Sequence, residues 1–217
     1  MILAAGRGQR LAPLTDTLPK PLLEVGGTTL IERHLMRLRD AGIRDIVINV
    51  SHLAGLIEAR LGDGQRYGVR ISYSRELNGP LETGGGIAHA LPLLGDAAFL
   101  VVNADVWTDC PFDFAARAAG RAHLVLIPNP PHHPAGDFCL RGSRVTRGAA
   151  HPYTYAGIGI FTPELFAAGE TSHFPLAPLL FALSKAGELS GEIHHGRWFD
   201  IGTLERLEQA RAAVAAA

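Results

Sequence analysis

Apolar stretches and helix-like stretches alternate through the first two thirds of the chain. Five stretches rich in apolar and β-branched residues predict strands, at residues 1–4, 46–50, 69–74, 98–105 and 123–129. Apolar residues at helical spacing separate them, most clearly over residues 28–41, where Gly42 ends the pattern. Apolar strands that alternate with helices are typical of a parallel sheet covered on both faces. We therefore expect an α/β, Rossmann-like fold of three layers with a mostly parallel central sheet.

The pattern changes after Pro130. Short alternating stretches around residues 138–148 and 153–161 predict a small antiparallel extension that lies over the mouth of the sheet. A helix follows near residues 176–186. Thr203 is a suitable N-cap for a last helix, because its hydroxyl can accept from an otherwise unpaired backbone N–H.

The charge balance argues against a general attraction to polyanions. The chain has 217 residues, with 20 basic and 21 acidic side chains and a net charge of −1. We expect neither nucleic acid nor a membrane as a partner, so any anion must be bound by local geometry. Cys110 and Cys139 lack metal-like spacing, and no apolar stretch approaches membrane length. We therefore expect a cytoplasmic protein without a signal peptide.

The opening loop is the first candidate for chemistry. Gly6 and Gly8 follow the first strand, where glycine lets the backbone approach an anion and present N–H groups to it. Arg10 adds a planar guanidinium, and Lys20 adds a point charge between two prolines. A surface turn with two solvated cations is the alternative. The combination favours phosphate binding.

Two familiar nucleotide motifs do not fit this loop. A dinucleotide fingerprint needs a third glycine and an immediate helix, but the third position falls near Leu11 and the loop continues to Pro21. A Walker loop needs Gly-Lys-Ser/Thr, which the sequence lacks. The phosphate is therefore expected to be held in another way.

Two distant aspartates are candidate metal ligands. Asp105 ends an apolar strand, and Asp200 precedes a glycine just before the last helix. Mg²⁺ prefers hard oxygen ligands, usually one or two carboxylates together with substrate phosphates. A capping or solvated role is the alternative for each aspartate alone. We assign no metal to the neighbouring pair His132 and His133, which is typical of a polar loop.

A run of three glycines, residues 84–86, opens a predicted helix. Glycines there would let a flat ring lie against the backbone, and Glu82 and Thr83 could meet its hydrogen-bonding edge. A flexible linker is the alternative.

Taken in order, these motifs resemble those of the sugar-1-phosphate nucleotidyltransferases. The family signature reads LAAGRGQR at residues 3–10, followed by Pro19-Lys20. The strand-end Asn-Gly-Asp of the family reads Asn103-Ala104-Asp105, and its late aspartate reads Asp200-Ile201-Gly202. The Glu-Lys-Pro sugar-contacting segment of thymidylyl and guanylyl members is missing from the sequence. The likeness is greater to members that make a UDP-sugar.

The resemblance implies substrates and roles for individual residues. UTP and a sugar-1-phosphate would react with Mg²⁺ as cofactor, in a monomer or weak dimer. The implied catalytic residues are Arg10 and Lys20, and the implied metal ligands are Asp105 and Asp200. The implied nucleotide-binding residues are Leu3, Ala5, Gly6, Gly8, Glu82, Thr83 and Gly84. The implied sugar-binding residues are Asn103, Asp137 and Gly157.

The same resemblance divides a single domain, residues 1–217, into three parts. Residues 1–129 would form a nucleotide-binding core, residues 130–195 a sugar-binding lobe, and residues 196–217 the metal aspartate and last helix. Guanylyl transfer to mannose-1-phosphate, thymidylyl transfer to glucose-1-phosphate and a catalytically silent sugar-nucleotide sensor remain as alternatives.

Overall fold

The structure is a computed structural model that describes residues 1–113, 120–148, 150–166 and 173–216. The first half contains β1 (Ile2–Leu3), α1 (Leu14–Thr17), β2 (Glu24–Val25), β3 (Thr28–Thr29), α2 (Leu30–Asp40), β4 (Asp45–Val50), α3 (Ala54–Leu61), β5 (Arg70–Arg75), α4 (Glu82–Leu94), β6 (Phe99–Asn103) and β7 (Val106–Thr108). The second half contains β8 (Ala122–Pro128), β9 (Cys139–Arg141), β10 (Arg144–Thr146), β11 (Tyr153–Phe161), α5 (Ala177–Ala186), β12 (Leu189–Ile193), β13 (Trp198–Asp200) and α6 (Leu204–Ala215).

Within the described ranges, nine strands form one sheet in the order β5-β4-β1-β6-β11-β8-β12-β10-β9. Strands β5, β4, β1 and β6 run parallel, and in the register Leu3 lies beside both Asn49 and Asn103. The chain segments that leave β1, β4 and β6 therefore meet at one edge of the sheet, where open α/β folds bind ligands.

The expected α/β fold with a mostly parallel core is confirmed. The antiparallel strands are also present, but they extend the central sheet instead of lying over its mouth. Strand β11 lies inside the sheet, antiparallel to both β6 and β8. Its last six residues, from Ala156 to Phe161, are all buried, which explains why it takes an interior position. The sequence also predicts a short helix near residues 112–119, but residues 114–119 lie outside the described part.

Three layers result because alternate residues of the strands face opposite sides. Ile46 and Ile48 of β4 pack in one cluster with α2 and α3, whereas Val47 packs with α4 and α5 in a second. A third core cluster lies beside the sheet edge and consists of Leu11, Leu23, Val25, Leu30, Trp107, Ile201, Leu207 and Ala210. This cluster joins the opening loop to the C-terminal segment. No helix in the described ranges is both long and apolar enough to cross a membrane.

Helix α2 begins with a capping box that continues into a polar network. The Thr29 side chain and the Glu32 backbone and carboxylate satisfy each other's hydrogen bonds. Glu32 also accepts hydrogen bonds from Nε of Arg60 at 2.8 Å and from the Tyr67 hydroxyl at 2.6 Å. Burial alone would raise the pKa of Glu32, but these hydrogen bonds outweigh it and lower the pKa to about 2.

We expect Glu32→Gln to flatten the acid branch of the stability curve. Because the folded pKa of Glu32 lies below its ordinary value of 4.5, the carboxylate stabilises the fold above pH 4.5. That contribution is lost as the pH falls from about 4.5 towards 2. Urea unfolding at several pH values should therefore show a steeper loss of stability for the wild type than for Glu32→Gln. Asp45→Asn, which removes an exposed partner of Arg70, is the control. Parallel curves for wild type and Glu32→Gln would contradict the assignment.

Candidate active site

A cavity of about 440 Å³ opens at the carboxyl edge of β1, β4 and β6. The sequence-predicted residues that line it are Leu3, Ala5, Gly6, Gly8, Lys20, Glu82, Thr83, Asn103 and Asp105. They come from the opening loop, the start of α4 and the end of β6. The register of the parallel strands is therefore what brings these separate motifs together.

Lys20 and Asp105 form an ion pair in the wall of this cavity. Nζ of Lys20 donates to Oδ2 of Asp105 at 2.7 Å, and the two side chains are 12% and 33% exposed. Lys20 begins a 3-10 turn after Pro19, whereas Asp105 follows β6. Without a ligand, each charge thus has an opposite charge as its neighbour. A phosphate or a cation that enters the cavity would meet a charge already directed towards it.

Arg10 lies next to this pair and has no charged partner among the described residues. It lines an adjoining cavity of about 530 Å³ together with Gly8, Lys20 and Gly202. Its side chain is exposed and forms no hydrogen bond or ion pair with the described residues. Arg10 and Lys20 therefore face the same mouth. An unpaired guanidinium beside a lysine is suited to an anion with several charged oxygens.

Glycine occupies positions 6 and 8 of the loop for different physical reasons. At Gly8 φ is +68°, and an added Cβ would lie 3.1 Å from Cγ2 of Thr15 and 3.5 Å from the Lys20 side chain. Glycine at position 8 is therefore required by the fold itself. An added Cβ at Gly6 would meet no protein atom within 4 Å. The space beside Gly6 belongs to the cavity, as expected where a ligand approaches the backbone.

Asp200 reaches the same edge from the far end of the chain. Strand β13 pairs antiparallel with β7, and the backbone N–H of Ile201 donates to the carbonyl of Asp105 at 2.8 Å. The carboxylate of Asp200 accepts a hydrogen bond at Oδ2 from Arg206. Nε2 of His132 lies 3.0 Å from Oδ1, in a geometry that does not form a hydrogen bond. The buried Oδ1 atom thus has no hydrogen-bond donor in the described part of the chain.

These two aspartates fit a divalent ion only if a substrate supplies further oxygens. In the part of the chain that the structure describes, no group of three or more His, Cys, Asp or Glu residues could hold a metal. Asp105 and Asp200 offer hard oxygen donors, and the Oδ1 atom without a hydrogen bond is compatible with a cation nearby. Mg²⁺ commonly binds through one or two carboxylates plus phosphate oxygens and water. The residues present therefore fit Mg²⁺ bound together with a phosphate substrate.

The glycine run at the start of α4 serves packing more than the cavity. Gly84 is not among the residues that line the cavity, and an added Cβ there would overlap the ring of Phe174. The N–H of Gly85 donates to the carbonyl of Phe174 at 3.0 Å. Only Glu82 and Thr83 of this motif reach the cavity wall. A nucleotide-binding role for Gly84 stays a prediction.

The three residues predicted to bind sugar lie in two places. Asn103 lines the cavity, and Gly157 supports it from behind, because a Cβ on Gly157 would lie 2.6 Å from Nδ2 of Asn103. Asp137 does not line the cavity. Its Oδ1 lies 3.0 Å from Nε2 of His133, and its Oδ2 accepts from the Tyr155 N–H at 2.9 Å. These contacts hold the loop before β9, so sugar binding by Asp137 stays a prediction.

Sequence reasoning missed a buried polar pair in the cavity wall, Asn49 and Glu76. Oδ1 of Asn49 accepts from the Ala4 N–H at 2.8 Å, and Nδ2 of Asn49 donates to Glu76 at 2.7 Å. The other oxygen of Glu76 accepts from the Leu81 N–H at 2.7 Å. This network joins the start of the opening loop to the start of α4. The sequence feature that could have indicated this network is Asn49, a polar residue within the apolar stretch at residues 46–50.

Comparison with known proteins identifies the class. A family model described as nucleotidyl transferase matches residues 1–140, and the chain belongs to this family. It is 50% identical to N-acetylmuramate alpha-1-phosphate uridylyltransferase of Neisseria meningitidis serogroup B, covering 100% of this chain and 98% of that protein. The protein of the same name from Caulobacter vibrioides is 36% identical, with coverage of 100% and 97%. The resemblance found in the sequence motifs is confirmed.

A solved structure shows the same fold. A candidate glucose-1-phosphate thymidylyltransferase from Bacillus anthracis superimposes with a TM-score of 0.87 and covers 100% of this chain and 94% of that one. The two sequences are 22% identical, so this likeness concerns the fold alone.

We expect Asn49→Ala to destabilise the fold by about 1–3 kcal/mol, the usual cost of leaving buried polar partners unsatisfied. The substitution leaves an oxygen of Glu76 and the Ala4 N–H without their partner. Urea unfolding measures the effect, with the exposed Asn78→Ala as a control expected to change the unfolding free energy by less than about 0.5 kcal/mol. Equal unfolding free energies for Asn49→Ala and wild type would show that the network does not support the fold.

Proposed function

We propose that this protein transfers the uridylyl group of UTP to N-acetylmuramic acid α-1-phosphate, releasing pyrophosphate and forming a UDP-sugar. The observation that carries the proposal is the Lys20–Asp105 pair in a cavity that also exposes the Gly6 backbone, beside an unpaired Arg10. The two relatives described above support the choice of nucleotide and sugar. We also propose that the protein acts in peptidoglycan recycling in the cytoplasm, as a monomer or weak dimer.

The chemistry requires charge neutralisation and alignment. A phosphate oxygen of the sugar attacks the α-phosphorus of UTP in line, the bond to the β-phosphate oxygen breaks, and its electron pair leaves with pyrophosphate. No general base is needed, because the attacking phosphate is already ionised at neutral pH. Catalysis then rests on holding the two phosphates in place and on stabilising the charge of the transition state.

Different residues at the cavity mouth bind the phosphates and stabilise their charge. Arg10 holds the β- and γ-phosphates and stabilises the departing pyrophosphate, while the backbone at Gly6 and Gly8 follows the phosphate chain. Lys20 turns from its carboxylate partner towards the α-phosphate and the incoming sugar phosphate. Asp105 and Asp200 would hold Mg²⁺, which when bound would neutralise negative charge on the phosphates.

Other residues of the cavity select the two substrates. Glu82, Thr83 and the backbone at Gly84 frame the uracil, and Leu3 and Ala5 support the nucleoside from the strand end. Asn103, backed by Gly157, contacts the sugar from β6, and Asp137 contributes from the loop before β9. The cavity lining supports Glu82, Thr83 and Asn103 directly.

Pyrophosphate release with a panel of substrates tests the proposal. UTP with N-acetylmuramic acid α-1-phosphate should give the fastest turnover, and chelation of Mg²⁺ should abolish it. Faster turnover of GTP with mannose-1-phosphate, or of dTTP with glucose-1-phosphate, would assign a different substrate pair. Tight binding of UDP-sugars without any turnover would identify a sugar-nucleotide sensor instead of an enzyme.

We expect Lys20→Ala and Asp105→Ala each to slow turnover by about 100-fold or more, the scale seen when one charge-stabilising group is removed. The Asp105→Ala variant should have a low turnover rate although it keeps Lys20, because an unpaired lysine does not replace a metal ligand. Steady-state kinetics at saturating UTP measure both variants. Arg70→Ala, an exposed residue at the start of β5, should behave as wild type. Near-normal turnover in either site variant would remove that residue from the mechanism.

A further inference from the structure

Arg206 lies in the first turn of α6, and its side chain returns towards the cavity mouth. The hydroxyl of Thr203 accepts from the Arg206 N–H at 3.3 Å, which fixes the start of the helix. The Arg206 side chain is only 12% exposed, and its guanidinium donates to Oδ2 of Asp200. The largely buried guanidinium of Arg206 thus binds one oxygen of Asp200, which is a proposed metal ligand.

Gly202 makes room for this contact. An added Cβ on Gly202 would overlap the guanidinium of Arg206 and would lie 3.1 Å from an η-nitrogen of Arg10. The φ of Gly202 lies outside the left-handed region, so the backbone conformation does not require glycine here. Glycine two residues after Asp200 is thus explained by the path of the Arg206 side chain.

We propose that Arg206 is a positioning residue that fixes the carboxylate of Asp200 for the divalent ion. By binding Oδ2, it leaves Oδ1 as the oxygen without a hydrogen bond. An ion bound at Oδ1 would replace His132, which lies 3.0 Å away and is 39% exposed. This inference rests on the proposed function for the role of Asp200 but adds a residue and a mode of action.

Two effects of Arg206 on a nearby cation oppose each other. A guanidinium repels a divalent ion, but the Arg206–Asp200 pair is neutral as a whole, so much of that repulsion cancels. Hydrogen bonds to a ligating carboxylate fix its orientation, and their loss commonly costs 10- to 100-fold in metal affinity. Without Arg206, the carboxylate could instead turn towards the unpaired Arg10. We therefore expect the orientation effect to dominate.

Mn²⁺ binding to the full-length protein tests this inference without catalysis. Free Mn²⁺ is measured by electron paramagnetic resonance in the presence of the non-cleavable α,β-imido analogue of UTP. Arg206→Gln should weaken Mn²⁺ binding by about 10-fold or more, and Arg206→Lys by less, because lysine keeps the charge but not the planar fork. Gly202→Ala should weaken it as well by displacing the guanidinium. Arg211→Gln, on the same helix and paired with Glu208, should leave the affinity unchanged.

Unchanged or tighter Mn²⁺ binding in folded Arg206→Gln and Gly202→Ala would overturn the proposal. If Arg206→Gln does not fold, as judged by its melting temperature, Arg206→Lys and Gly202→Ala decide the question by the same criterion. A wild type that binds Mn²⁺ with the nucleotide but releases no pyrophosphate would contradict the proposed function alone. The role of Arg206 would still stand if its variants weakened that binding.

Discussion

The ion pair between Lys20 and Asp105 joins parts of the chain that are 85 residues apart, and the site depends on it. Neither residue could reach the other without the parallel register of β1 and β6, which brings the opening loop and the end of β6 to one edge. The third core cluster completes the arrangement by packing Leu11 of the loop with Ile201 and Leu207 of the C-terminal segment. Burial of apolar side chains beside the sheet edge thus determines where the charges lie.

Two kinds of polar contact surround the cavity and have different physical consequences. Asn49 and Glu76 are almost fully buried, so their hydrogen bonds are costly to break and hold the opening loop against α4. The Lys20–Asp105 pair is more accessible, with side chains 12% and 33% exposed, and it lies in the cavity wall. Its separation leaves no charge without a partner if a phosphate replaces the carboxylate beside Lys20 and a cation replaces the ammonium beside Asp105. The site combines a rigid backbone with exchangeable charges.

Local patterns in the sequence predicted the parallel core and singled out the opening loop, Asp105 and Asp200, which the structure brings to one edge of the sheet; the roles of these residues in binding stay predictions. These features could be predicted because each depends on residue types within one strand or turn, and parallel strand ends share an edge. The place of β11 inside the sheet and the Asn49–Glu76 network depend on pairing between distant segments, which one sequence does not specify. The glycines show most clearly what the sequence alone does not reveal. Gly6 faces open space, Gly84 faces Phe174, and Gly202 faces Arg206, yet all three look alike in the sequence.

The charges at the mouth form a balance that a substrate would rearrange. Asp105 is paired with Lys20 and Asp200 with Arg206, so Arg10 is the cation left unpaired among these five described residues. The two pairs limit the repulsion among these charges, and the guanidinium of Arg10 remains available to an anion. A divalent ion could bind Asp105 only if it came with enough negative charge to occupy Lys20, the cation that this carboxylate releases. A triphosphate meets that condition, which is the physical reason that metal and nucleotide are expected to bind together.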